Sequence, residues 1–251
     1  MDTLQGKTAI VVGASSGVGK AAAKALVSAG VRVTAIARGA EGLERLRSEV
    51  GFGLETVRGD ASEPALADRL LRELKPDLVV LAGGAVPRMA PLDEQTWESF
   101  NAPWESDAQA AFHFVKAAIT VPLRSGSAVV VVSSGAAITG SSLSGGYAGA
   151  KRMQWFLARY GQELSDTRKL GIRFLALVPQ QFIEGTRIGA LASEAYGNRK
   201  GISGAEVMRT WFDAPMYPET VATAILKGLR GEFEPGVTAI RLTAKGAEAL
   251  A

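Results

Sequence analysis

The sequence has no cysteine, which removes disulfides, thiolate nucleophiles and thiolate metal sites. It has one histidine, His113. A Ser-His-Asp triad or a histidine-rich metal site has little to build on, and no metal site is expected. His113 lies in the run Ala110-Ala111-Phe112-His113-Phe114-Val115, where a packed or interface histidine is the simpler reading. No apolar stretch approaches the roughly 20 residues that span a bilayer. The start of the chain, Met1-Asp2-Thr3-Leu4-Gln5-Gly6-Lys7, lacks the apolar core of a signal peptide. The expected location is the cytoplasm, with no membrane partner. Runs of like charge are missing too. The net charge is +3, but acids and bases are interspersed, as over residues 41–49 and 68–75, so no nucleic-acid partner is expected.

What is present is an alternation. The chain is 251 residues long and 47% hydrophobic, enough for one sizeable core in a single α/β domain covering residues 1–251. Short apolar runs occur at Thr8–Val12, Val31–Ala37, Leu54–Arg58, Leu78–Ala82, Ala128–Ser133, Ile172–Val178 and Val237–Leu242. Most are separated by segments with helical spacing, such as Val18–Ala29 and Ala148–Leu164. Nearly continuous Val, Ile, Leu and Ala suits strands buried on both faces, hence a doubly wound, mostly parallel sheet. Between Pro179 and Pro218 the rhythm breaks. An irregular, glycine-rich insert is expected there, with residues 184–214 acting as a lid over a substrate; a solvent-exposed excursion is the alternative.

Three features carry chemistry. The first is Gly13-Ala14-Ser15-Ser16-Gly17-Val18-Gly19, directly after the first apolar run and opening a helix. A helix N-terminus offers unpaired N–H groups to a phosphate, and glycines let the backbone approach it. The second is the end of the second run, Ala37-Arg38. A carboxylate there would bind the ribose hydroxyls of NAD; an arginine suits the 2′-phosphate of NADP. The third is Ser134 with Tyr147 and Lys151. A spacing of four puts tyrosine and lysine on one helix face. A nearby cation favours the phenolate, so Tyr147 could serve as acid or base.

In this order, Gly13-x-x-x-Gly17-x-Gly19, Ser134 and Tyr147-x-x-x-Lys151 resemble the short-chain dehydrogenase/reductase family, over roughly residues 5–230. The resemblance implies a seven-stranded Rossmann-like sheet, a nicotinamide cofactor and reversible carbonyl reduction. It implies that Tyr147 donates the proton, that Ser134 holds the carbonyl oxygen, and that Lys151 binds the nicotinamide ribose and lowers the tyrosine pKa. Cofactor contacts fall on Gly13, Ser15, Ser16, Gly17, Val18, Gly19, Arg38, Ala82, Gly83, Gly84, Tyr147, Lys151, Pro179 and Phe182. Asp60 and Ala61 would lie beside the adenine; Asp60 could instead, or also, cap the following helix. The fourth catalytic position falls on Asp107, where the family has asparagine. Leu81-Ala82-Gly83-Gly84 replaces the family's Asn-Asn-Ala-Gly, and Pro179-Gln180 its Pro-Gly. The expected activity is an NADP(H)-dependent oxidoreductase, NADP(H) preferred over NAD(H), acting on a small-molecule ketone, 3-oxoacyl compound or alcohol. The alternative is a non-catalytic NADP-binding sensor. A homodimer or homotetramer is expected, built on the helices around 108–118 and 148–164.

Overall fold

The computed structural model describes residues 3–250. Seven parallel strands form the sheet: β1 Thr8–Val12, β2 Arg32–Ala37, β3 Leu54–Arg58, β4 Leu78–Leu81, β5 Ala128–Val132, β6 Arg173–Pro179 and β7 Ala239–Thr243. An eighth strand, β8 Gly246–Ala249, returns antiparallel to β7. The order is β3-β2-β1-β4-β5-β6-β7-β8. The expected count of seven is thus one short. Every residue of β8 is exposed, so it carries no apolar run to read.

Helices α1 Gly17–Ser28, α2 Ala40–Val50 and α10 Pro218–Arg230 cover one face of the sheet; α3 Pro64–Leu74, α5 Gln109–Thr120 and α7 Tyr147–Thr167 cover the other. Strand residues alternate between two cores. Val11, Val80, Val130 and Leu177 face α1 and α10, while Ile10, Val79, Val131 and Val178 face α5 and α7. Burying each of these side chains contributes about 1.5–3 kcal/mol against exposure. That both faces are apolar is what holds helices on both sides.

A short helix, α4 Trp97–Pro103, runs into α5 through a π-turn at Trp104–Ala108. A four-residue turn of helix, α6 Ala136–Thr139, follows β5. The segment after β6 is not irregular, as expected from sequence, but helical: α8 Arg187–Lys200 and α9 Gly204–Trp211 pack on each other. Thr186 caps α8 by accepting from the Gly189 N–H, and Ser203 caps α9 by accepting from the Glu206 N–H. The glycines of α8 answer to packing: a Cβ at Gly197 would lie 2.6 Å from the Ile202 carbonyl.

Candidate active site

The strand order reverses at β1, which pairs with β2 on one side and β4 on the other. In an open α/β sheet, the C-terminal strand ends at such a point frame a crevice. Gly13, just past β1, has φ +81°, and a Cβ there would sit 2.3 Å from the Gly83 Cα. Any side chain at 13 would force the two loops apart. A Cβ at Gly19 would lie 2.3 Å from the Gly13 carbonyl oxygen, so the first turn of α1 rests directly on the loop. Ser16 precedes α1 in extended conformation, its side chain caps no N–H, and the first turn contains no acid. The amide donors there suit an anion from outside. Ser15, Ser16, Gly17 and Val18 line the cleft, as do Ala61, Ala82, Gly83 and Gly84.

Past β2, Arg38 is 63% exposed at its side chain, with its guanidinium 3.9 Å from the Asp60 carboxylate. The Arg58 side chain donates to the Arg38 carbonyl at 3.2 Å, bringing a second guanidinium that the sequence reading missed. Asp60 accepts from the Ser62 amide at 3.0 Å and hydroxyl at 2.8 Å, closing a local turn. Burial raises its pKa, but the Ser62 hydrogen bonds and Arg38 outweigh that and hold the carboxyl below the usual range. The capping alternative for Asp60 fails: α3 begins at Pro64, after Glu63.

At the other end of the cleft, β5 delivers Ser134 and α7 opens on Tyr147. The Ser134 hydroxyl faces the Tyr147 phenol. The Lys151 Nζ lies 5.5 Å from the tyrosine ring centroid. Asp107 sits in the π-turn with its carboxylate fully buried, Oδ2 3.0 Å from Lys151 Nζ. Among the described residues, Oδ2 accepts no hydrogen bond and meets only that ammonium, as an ion pair; Oδ1 accepts from the Ala85 amide at 2.7 Å. A Cβ at Gly84 would meet Oδ2 at 2.6 Å, so Gly84 leaves the space that Asp107 fills. Asp107 is therefore no solvated helix residue. Gln154, which the sequence reading passed over, accepts from Lys151 at 2.9 Å and donates to the Asp107 carbonyl at 3.0 Å. Its position three residues after Lys151, in a buried stripe of α7, was the available signal.

The electrostatics follow. Burial of Tyr147 raises its phenol pKa, Asp107 adds to the rise, and Lys151 and Ser134 oppose it without reversing it. Burial alone would lower the pKa of Lys151, but Asp107 and Tyr147 overcome it and hold the ammonium above its usual value.

The cleft joining these ends has a volume of about 790 Å³, within the usual range of ligand sites. Its far wall is aromatic. Phe182 stacks on Tyr196 at 6.1 Å and meets the Phe212 edge at 5.4 Å; Tyr196 contacts Trp211 at 5.5 Å. The Tyr196 and Ser141 hydroxyls lie 2.9 Å apart, tying α8 to the loop before α7. Pro179 lines the cleft where β6 ends, its carbonyl accepting from Gly135 at 2.6 Å. His113 stands apart on α5, half-buried; burial lowers its pKa, helped by Lys116. No group of histidine and carboxylate side chains among the described residues could hold a metal ion, and no helix among them is long and apolar enough to cross a membrane.

An open parallel sheet with a glycine loop at its switch point defines the dinucleotide-binding α/β class. A family model described as short chain dehydrogenase matches residues 7–191, and the chain belongs to that family. Its relatives include a D-threitol dehydrogenase from Mycolicibacterium smegmatis, 38% identical over 107 residues, which cover 38% of this chain and 41% of that protein. A 2,5-dichloro-2,5-cyclohexadiene-1,4-diol dehydrogenase from Sphingobium indicum is 30% identical, covering 71% of this chain and 74% of that protein. A solved structure described as a short chain dehydrogenase/reductase family protein superposes with a TM-score of 0.75 at 21% identity, over 96% of this chain and 97% of that one. Members of the family are oxidoreductases of alcohols or carbonyls that use a nicotinamide cofactor.

Proposed function

We propose that this protein is an NADP(H)-dependent oxidoreductase that interconverts a carbonyl compound and its alcohol. The observation that carries the reading is one cleft with a phenol beside a buried ammonium at one end and Arg38 at the other. The glycine-loop amides at the N-terminus of α1 would hold the pyrophosphate. Arg38, with Arg58 beside it, would hold the 2′-phosphate; Ala37 offers no carboxylate to the ribose hydroxyls. Ala61 and Asp60 would flank the adenine. When bound, the nicotinamide supplies or accepts the hydride.

The chain's own residues do the rest. Ser134 donates a hydrogen bond to the substrate oxygen, holding it within reach of Tyr147. Tyr147 gives its proton to that oxygen in reduction and takes it back in oxidation. Lys151 holds the nicotinamide ribose and, with Asp107 behind it, places a fixed positive charge beside the phenol. Phe182, Tyr196, Trp211 and Phe212 exclude water and favour a flat, largely apolar substrate. A relative named for a cyclic diol fits that wall. The whole chain would act as one domain, with 184–214 as the substrate lid.

The test is NADPH oxidation across a panel of cyclic and linear ketones. Tyr147→Phe should lower kcat about 10²–10⁴-fold while NADPH still binds. A wild-type protein that binds NADPH tightly yet turns over no carbonyl would support the sensor reading instead.

A further inference from the structure

Two consecutive glutamines follow β6, and the protein uses them differently. Gln181 donates to the Ala214 carbonyl at 2.8 Å and accepts from the Ala244 amide at 2.5 Å. Both ends of its amide are thus committed to tying the loop after α9 to the turn after β7. The Gln180 side chain has no protein partner among the described residues. Nor is its amide sealed inside the protein: the residue is half-buried and lines the cleft. What is fixed is its backbone. Its N–H donates to the Leu242 carbonyl at 2.8 Å, and the Pro179 carbonyl just before it accepts from the Gly135 amide at 2.6 Å. A Cβ at Gly135 would lie 2.8 Å from the Gln180 Cα and 3.2 Å from its Cγ, so only glycine after Ser134 lets Gln180 stand so close. A well-held backbone therefore presents a free amide against the residue next to Ser134.

We propose that Gln180 is a specificity-determining residue: its amide binds a second oxygen of the substrate, on the carbon next to the reacting one, so that 2-hydroxy ketones and the matching vicinal diols are preferred. This rests on the carbonyl–alcohol reading given above. In water the hydrogen bonds of the amide are met by solvent, and a substrate that displaces that water must replace them. A plain ring carbon cannot. A hydroxyl can, because it both donates and accepts, as the amide does. The amide is neutral, so it selects an uncharged oxygen and not a carboxylate. The position of that oxygen follows from the backbone. Ser134 and the residue against which Gln180 lies are consecutive, with Cα atoms about 3.8 Å apart. So short an offset suits oxygens on neighbouring carbons, not oxygens at opposite ends of a ring. Phe182, two residues on, starts the aromatic wall that receives the rest of the substrate. Ser134 then holds the reacting oxygen, Gln180 the second oxygen, and the wall the carbon frame.

The experiment measures affinity in the full chain carrying Tyr147→Phe, with NADPH bound, by ligand-observed NMR titration. The probes are 2-hydroxycyclohexanone, 4-hydroxycyclohexanone and cyclohexanone. With Gln180 in place, the 2-hydroxy compound should bind about fivefold more tightly than either of the others, the scale of one hydrogen bond. Adding Gln180→Met keeps the length of the side chain without its amide, and should bring that ratio close to one. Gln180→Gly repeats this arm should the methionine variant not fold. In turnover by the protein with Tyr147 intact, the same change should raise KM for 2-hydroxycyclohexanone with kcat little altered, the mark of lost uniform binding. Affinities that do not differ among the three ketones, a preference for the 4-hydroxy compound, or a ratio that survives both substitutions overturns the proposal. The binding readout needs no catalysis. A failure of the oxidoreductase reading would appear separately, as absent turnover in the NADPH assay while the affinity ratio stands.

Discussion

Both carboxylate oxygens of Asp107 face donors: the Ala85 amide on one, the Lys151 ammonium on the other. Asparagine can satisfy only one of them, and would turn its NH₂ toward the other. Asp107→Asn should therefore cost about 2 kcal/mol of stability, read as a lower melting temperature. The same change removes a negative charge that raises the Tyr147 pKa. Alcohol oxidation needs the phenolate, so its rate climbs with pH through that raised midpoint; in Asp107→Asn the climb should begin at lower pH, with faster oxidation near pH 7. A pH–rate profile that overlays the wild type would remove Asp107 from the chemistry. Arg38 is a milder case, because it is mostly exposed. Arg38→Ala should weaken NADPH binding by about 1.5 kcal/mol, the low end for a charge-assisted contact, and leave NADH unchanged. Equal wild-type affinities for the two cofactors would refute the preference.

At the scale of elements, α8 and α9 meet the cleft through aromatic contacts and few strands anchor them. One bridge, Ile183 to Met216, closes their base. Amide exchange over residues 187–211 should slow several-fold when NADPH binds and the Tyr196–Ser141 contact is held. Equal exchange with and without cofactor would make the pair a fixed insert. How far the sequence foretold these elements depends on which force built each one. The central strands β4, β5 and β6 were the most legible because burial on two faces leaves a nearly unbroken apolar signature, as in Val129-Val130-Val131-Val132. The glycine loop, Tyr147 and Lys151 stood out in the sequence only in combination, through the loop's place between β1 and α1 and through Ser134 thirteen residues before Tyr147. α8 and α9 were not. Their glycines mask a helical pattern, although Ser203-Gly204-Ala205-Glu206 carries a helix-start signature that could have marked α9. Gln154 was hidden because a lone glutamine inside a helix reads as surface until its partners are placed.

At the scale of the whole molecule, α5 and α7 leave apolar side chains outside. Phe112 is 46% exposed and edges a shallow groove with Trp104, Ala108, Met153 and Leu157; Tyr160 and Leu164 continue the stripe along α7. On the same two helices Phe114 and Trp155 turn inward to cover the sheet and take no part in this surface. The remaining patch should pair two chains, so light scattering at micromolar concentration should give a dimer, and Phe112→Glu should give a monomer. A wild-type monomer would show that the stripe merely shields the sheet. The unforeseen strand matters to colloidal behaviour. Without β8, the outer row of β7 amides and carbonyls would lie open beside Ile240 and Leu242, a ready template for another chain. With it, the outermost row on that side is four residues long and carries Glu248, paired with Arg241. A short, charged border of this kind discourages sheet-to-sheet growth, so this small hairpin favours discrete particles in solution over fibres.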